Sequence, residues 1–248
     1  MKKHLPNFLT ILNLACGTVA IVFTLEGQWR WAIYLILLAV LFDFLDGLVA
    51  RLLNASSETG KQLDSLADMV TFGVLPALFI YTLFKGMFSG SGATENQGSI
   101  AIPPTLQWML LGSILIVPAF SAIRLARFNL KENETSFFNG LPTPAHALFW
   151  TGIFWQFMQE GMLFGTSVNV FFLWAIMMIM VFQMILPVPM YSLKFSNLRL
   201  RGNLIRYVLL ISSLLILLTV GLSGLSLVVL AYILLSLLNL LLQTRVSK

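Results

Sequence analysis

Eight apolar runs, each close to the ~20 residues that a helix needs to cross a hydrocarbon layer, fill most of this chain. They lie at roughly 8–25, 30–53, 63–85, 105–128, 144–160, 167–190, 204–222 and 225–243, separated by turn-rich or charged breaks. Backbone polar groups in lipid must be satisfied within the protein, so runs of this length are helices. The expected fold is therefore all-α: a polytopic transmembrane helical bundle of about eight spans. With 58% apolar and 10% charged residues and a mean hydropathy of +0.89, no polar stretch is long enough for a separate soluble domain. Orientation follows from the cations. With the N-terminus inside, Lys2, Lys3, Arg51, Lys61, Arg124, Arg127, Lys131, Lys194, Arg199, Arg201, Arg206, Arg245 and Lys248 fall at the cytoplasmic side, and only Arg30 and Lys85 outside. Both termini are expected to be cytoplasmic. The net charge of +5 is then an orientation signal with affinity for anionic lipid, and no basic patch with interleaved aromatics suggests nucleic acid.

Several features carry little chemistry. The single Cys16 excludes an internal disulfide. Asn13 to Gly17 resembles a lipoprotein cleavage site only weakly, because Asn13 stands where an aliphatic residue is needed, and the first run is long enough to stay as a span. Residues 86–104 read as a Gly/Ser-rich external loop ended by a proline pair. Gly161 and Gly165 have the spacing of a helix-dimerisation motif but sit beside an external loop. The last two runs, uncharged and rich in Leu and Ser, read as packing helices.

The aspartates are another matter. All four, Asp43, Asp46, Asp64 and Asp68, fall within 26 residues and inside apolar runs. A carboxylate at membrane depth costs several kcal/mol unless it is paired or bound to metal, which makes it a functional residue by default. Asp43 and Asp46 are three apart and share a helix face, with Gly47 and Ala50 on or beside it; Asp64 and Asp68, four apart, share another. The connection between the two helices is short, so they run antiparallel and the four carboxylates can converge on one pocket near the cytoplasmic end. Oxygen ligands without a nearby His or Cys select hard divalent ions, Mg²⁺, Mn²⁺ or Ca²⁺. Gly47, Ala50 and Gly60 leave room for a bulky ligand, Gly60 can also supply the turn into the third span, and Arg51 is placed to meet a phosphate. On the residues alone, a diphosphate-and-metal site competes with two alternatives. One is a structural ion-pair network using Arg51, Lys61 or the arginines of the fourth run, Arg124 and Arg127. The other is the ion site of a cation transporter, against which stand the clustering of the acids toward one membrane face and the absence of an inverted repeat.

The spacing Asp43-x2-Asp46-Gly47-x2-Ala50-Arg51-x8-Gly60-x3-Asp64-x3-Asp68 resembles the signature of the CDP-alcohol phosphotransferase family at every fixed position. The opening Leu5-Pro6-Asn7-Phe8-Leu9-Thr10-Ile11-Leu12-Asn13 is similar to that family's first helix with its Asn-x-x-Thr pair, here Asn7 and Thr10. Arg124 to Asn129 and Phe138 to Ala145 resemble its phosphatidylserine synthase branch. The resemblance runs to about residue 150, so residues 1–150 are expected to form the catalytic membrane core and 151–248 additional C-terminal helices. It implies metal-dependent transfer of a phosphatidyl group from CDP-diacylglycerol to the hydroxyl of L-serine, giving phosphatidylserine and CMP. Asp43, Asp46 and Asp64 would hold Mg²⁺ or Mn²⁺ on the diphosphate. Asp68 would be the base and would also be able to touch metal. Gly47, Ala50, Arg51, Gly60, Asn7 and Thr10 would line the donor site, and the enzyme would be a homodimer in the bacterial cytoplasmic membrane with its active site facing the cytoplasm.

The acceptor reading rests on Arg124 and Arg127, three apart at the cytoplasmic end of the fourth run, where two guanidinium groups suit serine's carboxylate or the lipid phosphate. Plain positive-inside anchoring accounts for them equally. Another acceptor, glycerol 3-phosphate or an inositol compound, remains open. Gly140 to Ala145 is expected to form a rigid re-entrant turn, and His146 reads as a satisfied interfacial residue.

Overall fold

Helices stand where all eight apolar runs predict them. The structure is a computed structural model in which residues 4–55, 57–88, 102–130, 138–161, 169–190 and 203–246 are described. The first two runs are the unbroken helices α1 (His4–Leu25) and α2 (Trp29–Leu52). The third begins earlier than expected, as α3 (Glu58–Asp68), passes through a π-helical turn at Met69–Val74 and continues as α4 (Leu75–Phe88). The fourth is α5 (Pro104–Ser113) and α6 (Ile116–Leu130). After a two-residue strand β1 (Phe138–Asn139) come α7 (Thr143–Glu160), α8 (Val170–Ile185) and strand β2 (Pro189–Met190). Then follow α9 (Leu204–Val220) and α10 (Gly224–Val246), separated at Gly221, whose φ of 67° ends the first of them. Five stretches, 4–25, 29–52, 58–88, 104–130 and 204–240, are long and apolar enough to cross a membrane, and α8 is a shorter apolar helix. The chain is a polytopic helical membrane protein.

Two of the long runs are interrupted, and proline explains both. The ring of a helical proline collides with the carbonyl four residues before it. Pro118 places that collision at Ile114, where α5 ends; Pro76 places it at Phe72, inside the π turn, where the Leu75 amide bonds back to Val70 O.

Packing follows membrane rules. The buried positions of α1 are Pro6, Thr10, Asn13, Gly17, Ala20 and Thr24, a seam of small and polar residues at alternating spacings of four and three. Such a seam lets helices approach closely where lipid removes the hydrophobic drive. At Gly17 the approach is extreme: a methyl group there would lie 2.2 Å from Thr71 Oγ1 and 3.0 Å from its Cα. Gly17→Ala must therefore push α1 off the π turn, and we expect a loss of about 1–3 kcal/mol, read as a lower melting temperature in detergent. The deepest core lies elsewhere, between α4 and α7, where Phe79 and Phe154 stack at 4.4 Å beside buried Phe72, Phe84 and Trp150. Leu5, Phe8, Ile11, Val19, Val22 and Leu25 cover the opposite side of α1, exposed as a lipid-facing surface requires.

The segment after α6 closes the site end. Strand β1 pairs antiparallel with β2, Phe138 opposite Met190, and the Gly140 and Leu141 amides donate to Val188 O and Gln183 O. Gly140 adopts φ 82°, and a side chain there would come within 2.4 Å of Met184 O. The expected rigid turn is thus a bracket seated on the end of α8. Pro142 and Pro144 then open α7, where proline's missing amide costs nothing. Gly161 is the left-handed cap of α7 (φ 65°), which gives it a role other than dimerisation; Gly165 lies outside the described residues, as do 89–101 of the proposed external loop.

Candidate active site

The turn between α2 and α3, both of which pack on α1, is made by Asn54, not Gly60. Asn54 takes φ 49°, and the amides of Asn54 and Ala55 bond to Arg51 O and Ala50 O, the paired bonds of a Schellman cap. Asparagine is among the few residues that tolerate this conformation. Ser57 then caps α3, its Oγ accepting from the Gly60 amide at 3.1 Å. Gly60 sits inside the first turn of α3, where a side chain would meet Asn7 Oδ1 and Ser57 Oγ at 3.0 Å. Its small size lets α1 approach rather than letting the chain turn.

This geometry gathers the acids. Carboxylate oxygens of Asp43 on α2 and of Asp64 and Asp68 on α3 all lie within 4.8 Å of one another. Asp46 is drawn aside, its Oδ2 accepting from Thr10 Oγ1 at 2.6 Å, and Thr10 also bonds back to Pro6 O. Asn13, fully buried, donates from Nδ2 to Asp68 Oδ1 at 3.3 Å, and its own carbonyl accepts from Thr71 Oγ1 of the π turn. A slanted row on α1, Asn7, Thr10 and Asn13 at three-residue intervals, thus meets Gly60, Asp46 and Asp68 in turn. Thr10 and Asn7 were expected at this site; Asn13, Thr71 and Ser57 were not. The signal for Asn13 was present in the sequence, as an amide that continues the three-residue series of Asn7 and Thr10.

Charge balance decides what such a site can hold. Lys61 pairs with Glu58 on the surface of α3, and no Lys or Arg among the described residues lies within ion-pair distance of the four aspartates. Asp64 Oδ1 is buried without a hydrogen-bond partner. Clustered carboxylates with an orphaned oxygen and only oxygen donors fit a hard divalent cation, whereas Arg51 bonds Gly47 O, Lys61 pairs with Glu58 and Arg124 bonds Thr143 Oγ1. Arg51, exposed, donates from Nε to Gly47 O at 2.9 Å and so stands on the rim of the site. A side chain on Gly47 would have nothing within 4 Å among the described residues, which leaves open space beside Asp46. Ala50 is half-buried on the same helix.

The two arginines of α6 part company. Arg124 is half-buried and donates from Nη1 to Thr143 Oγ1 of α7 at 3.1 Å, with its Nε buried and unpartnered. Arg127 is exposed. Two residues on, Asn129 Nδ2 donates to Ser65 Oγ at 2.8 Å and ties the end of α6 to α3. His146 is no interfacial residue: it is fully buried in α7, its Nε2 accepting from Trp150 Nε1.

An eight-run helical bundle with a carboxylate triangle at least half-buried between its second and third runs defines an integral membrane protein with an acidic, metal-competent site. The sequence profile of the CDP-alcohol phosphatidyltransferases matches residues 3–188, and the chain belongs to that family. Its relatives include proteins named CDP-diacylglycerol–serine O-phosphatidyltransferase. The one from Mycobacterium leprae is 36% identical over 178 residues, covering 69% of this chain and 53% of the relative. That from Bacillus subtilis is 33% identical over 142 residues, 57% of this chain and 70% of the relative. That from Saccharomyces cerevisiae is 34% identical over 177 residues, 65% and 56%. The chain thus spans little more than half the length of the mycobacterial and yeast proteins.

Proposed function

We propose that the chain transfers a phosphatidyl group from CDP-diacylglycerol to the hydroxyl of L-serine, releasing CMP. The observation that carries the reading is the convergence of Asp43, Asp64 and Asp68 beside Asp46, in a membrane helix pair carrying the family spacing. The names of the relatives support serine as acceptor. Asp43, Asp46 and Asp64 would hold Mg²⁺ or Mn²⁺ against the donor's diphosphate, with Asp68 in reach. Such an ion supplies charge stabilisation to the phosphoryl oxygens and the departing CMP.

The protein's own groups do the remainder. Gly47, Ala50 and Gly60 keep the backbone open to the nucleotide, and Asn7 and Thr10 border it from α1. Arg51 bonds its own helix through Nε, which keeps its two terminal nitrogens for a phosphate of the donor. Asn13 holds one oxygen of Asp68, so the carboxylate is oriented to take the proton from serine's hydroxyl as that oxygen attacks the phosphatidyl phosphorus. One phosphorus–oxygen bond forms and the bond to CMP breaks, in line, with no covalent enzyme intermediate; the rate comes from positioning and charge. Arg124 takes the serine carboxylate. Arg127, on the exposed side, meets lipid phosphate at the cytoplasmic surface.

The test is CMP release by purified protein from CDP-diacylglycerol with Mg²⁺ or Mn²⁺ and single acceptors. Serine should support release and EDTA should abolish it. Release with glycerol 3-phosphate or an inositol compound, and none with serine, would reassign the acceptor.

A further inference from the structure

Beside the aspartates lies a second polar cluster, built from α6 and α7. Arg124 is fastened to Thr143 through Nη1. Three residues along the same face of α7, His146 is completely buried and close enough to Arg124 for the two side chains to interact electrostatically. The Trp150 indole can only donate, and it donates to His146 Nε2 at 3.2 Å. Nε2 is therefore the bare nitrogen of a neutral imidazole, and the proton sits on Nδ1. That Nδ1–H has no partner, and neither has Arg124 Nε–H.

Buried donors are rarely left unmade, because each forfeits the hydrogen bond it had in water. Here two such donors belong to neighbouring side chains, one of them a guanidinium. Neither can be satisfied by a metal, a cation or another donor. What satisfies both is an acceptor small enough to enter a helix-packed space, and the guanidinium favours one that bears negative charge. Arg124 and Asp68 also interact electrostatically, which places an anion held by Arg124 in the neighbourhood of the base. Serine carries both groups in one short molecule, its carboxylate and its hydroxyl standing on adjacent carbons.

We infer that His146 is a specificity-determining residue whose Nδ1–H, together with Arg124 Nε–H, binds the carboxylate of the acceptor and directs its hydroxyl toward Asp68. The inference rests on the serine-transferase reading above and adds to it a residue that distinguishes an amino-acid acceptor from a neutral alcohol. Trp150 contributes by fixing the imidazole tautomer.

Two substitutions separate this role from packing. In H146Q the amide oxygen reaches the Nε2 position and still accepts from Trp150, but the Nδ1 donor is gone. In H146N the amide nitrogen stands where Nδ1 stood and keeps the donor, while the partner of Trp150 is lost. With saturating CDP-diacylglycerol, H146Q should raise the half-saturating serine concentration by about 10- to 100-fold, as loss of a hydrogen bond to a charged group does. H146N should stay within about threefold of wild type. Serinol, in which a hydroxymethyl group replaces the carboxylate, should be a poor acceptor for wild type and no poorer for either variant. A purely structural histidine predicts the reverse order, with glutamine harmless and asparagine damaging. That order, an unchanged serine requirement in H146Q, or loss in both variants to the same degree on serine and serinol would overturn the inference while leaving the transferase reading intact. Equal half-saturating concentrations of serine and serinol in wild type would overturn it without any variant. Absence of serine-dependent CMP release from wild type would remove the underlying reading, and the inference with it.

Discussion

Asp68→Asn should leave CDP-diacylglycerol bound with near-normal affinity and lower CMP release by roughly 10²–10⁴-fold, the contribution of a general base. The asparagine keeps the size of the side chain and its bond to Asn13 but cannot take a proton. Asp43→Asn, Asp46→Asn and Asp64→Asn are expected to fail one step earlier, with donor binding losing its dependence on divalent metal. Among these, Asp64 should be the most sensitive, because one of its oxygens has no partner in the protein and is committed to whatever the site binds. Asp46 should be the mildest, because Thr10 already holds one of its oxygens. Titration of donor binding with and without Mn²⁺, alongside single-turnover CMP release, checks both halves. If Asp68→Asn lost donor affinity as fully as Asp64→Asn, Asp68 would be a ligand and nothing more.

Arg124→Lys should weaken the apparent affinity for serine by about 1.5–3 kcal/mol. Lysine keeps the positive charge but loses Nε–H and the fixed fork that reaches Thr143 and the proposed carboxylate together. Donor affinity should be unchanged, since Arg124 is a residue of α6 bonded to α7 rather than part of the rim with Arg51. Arg127→Lys is the internal control. On an exposed position that serves the membrane surface, lysine is as good as arginine, so its serine dependence should match wild type. The measurement is serine-dependent CMP release at saturating donor for the two variants. Equal behaviour of both would return Arg124 to a role in orientation alone.

Much of this was legible before any coordinates. Apolar length gives the spans because a bilayer has one thickness, and spacings of three and four place Asp43 with Asp46 and Asp64 with Asp68 because the helix has one pitch. The rotation of one helix about its axis relative to a neighbour is not written that way. Which acid turns toward α1 depends on it, and so the sorting of Asp46 to Thr10 and Asp68 to Asn13 required the structure. The same holds for α6: Arg124 and Arg127 look equivalent as a sequence, but a 60° difference in direction puts one against α7 and the other in solvent. Gly60 misled for another reason. Glycine before an apolar run reads as a turn, yet an asparagine six positions earlier supplied the left-handed residue, and the glycine served a close approach. Thr143, His146 and Trp150, on one face of α7 at intervals of three and four, were readable as a polar stripe. Their link to Arg124 joins two helices separated by a loop, which no local period encodes.

The π turn at Met69–Val74 makes the third span a jointed rod. Each residue of an α-helix advances the side-chain direction by about 100°, and a π turn is in effect one residue added to that count. The acids on α3 and the aromatic face of α4 are therefore indexed independently. Deleting one residue from the joint would leave all four aspartates in the chain and swing Asp64 and Asp68 away from Asp43, or else Phe79 away from Phe154. The insertion state of a single turn, in the interior of the third run, is thus as much a part of the metal-competent site as the carboxylates themselves.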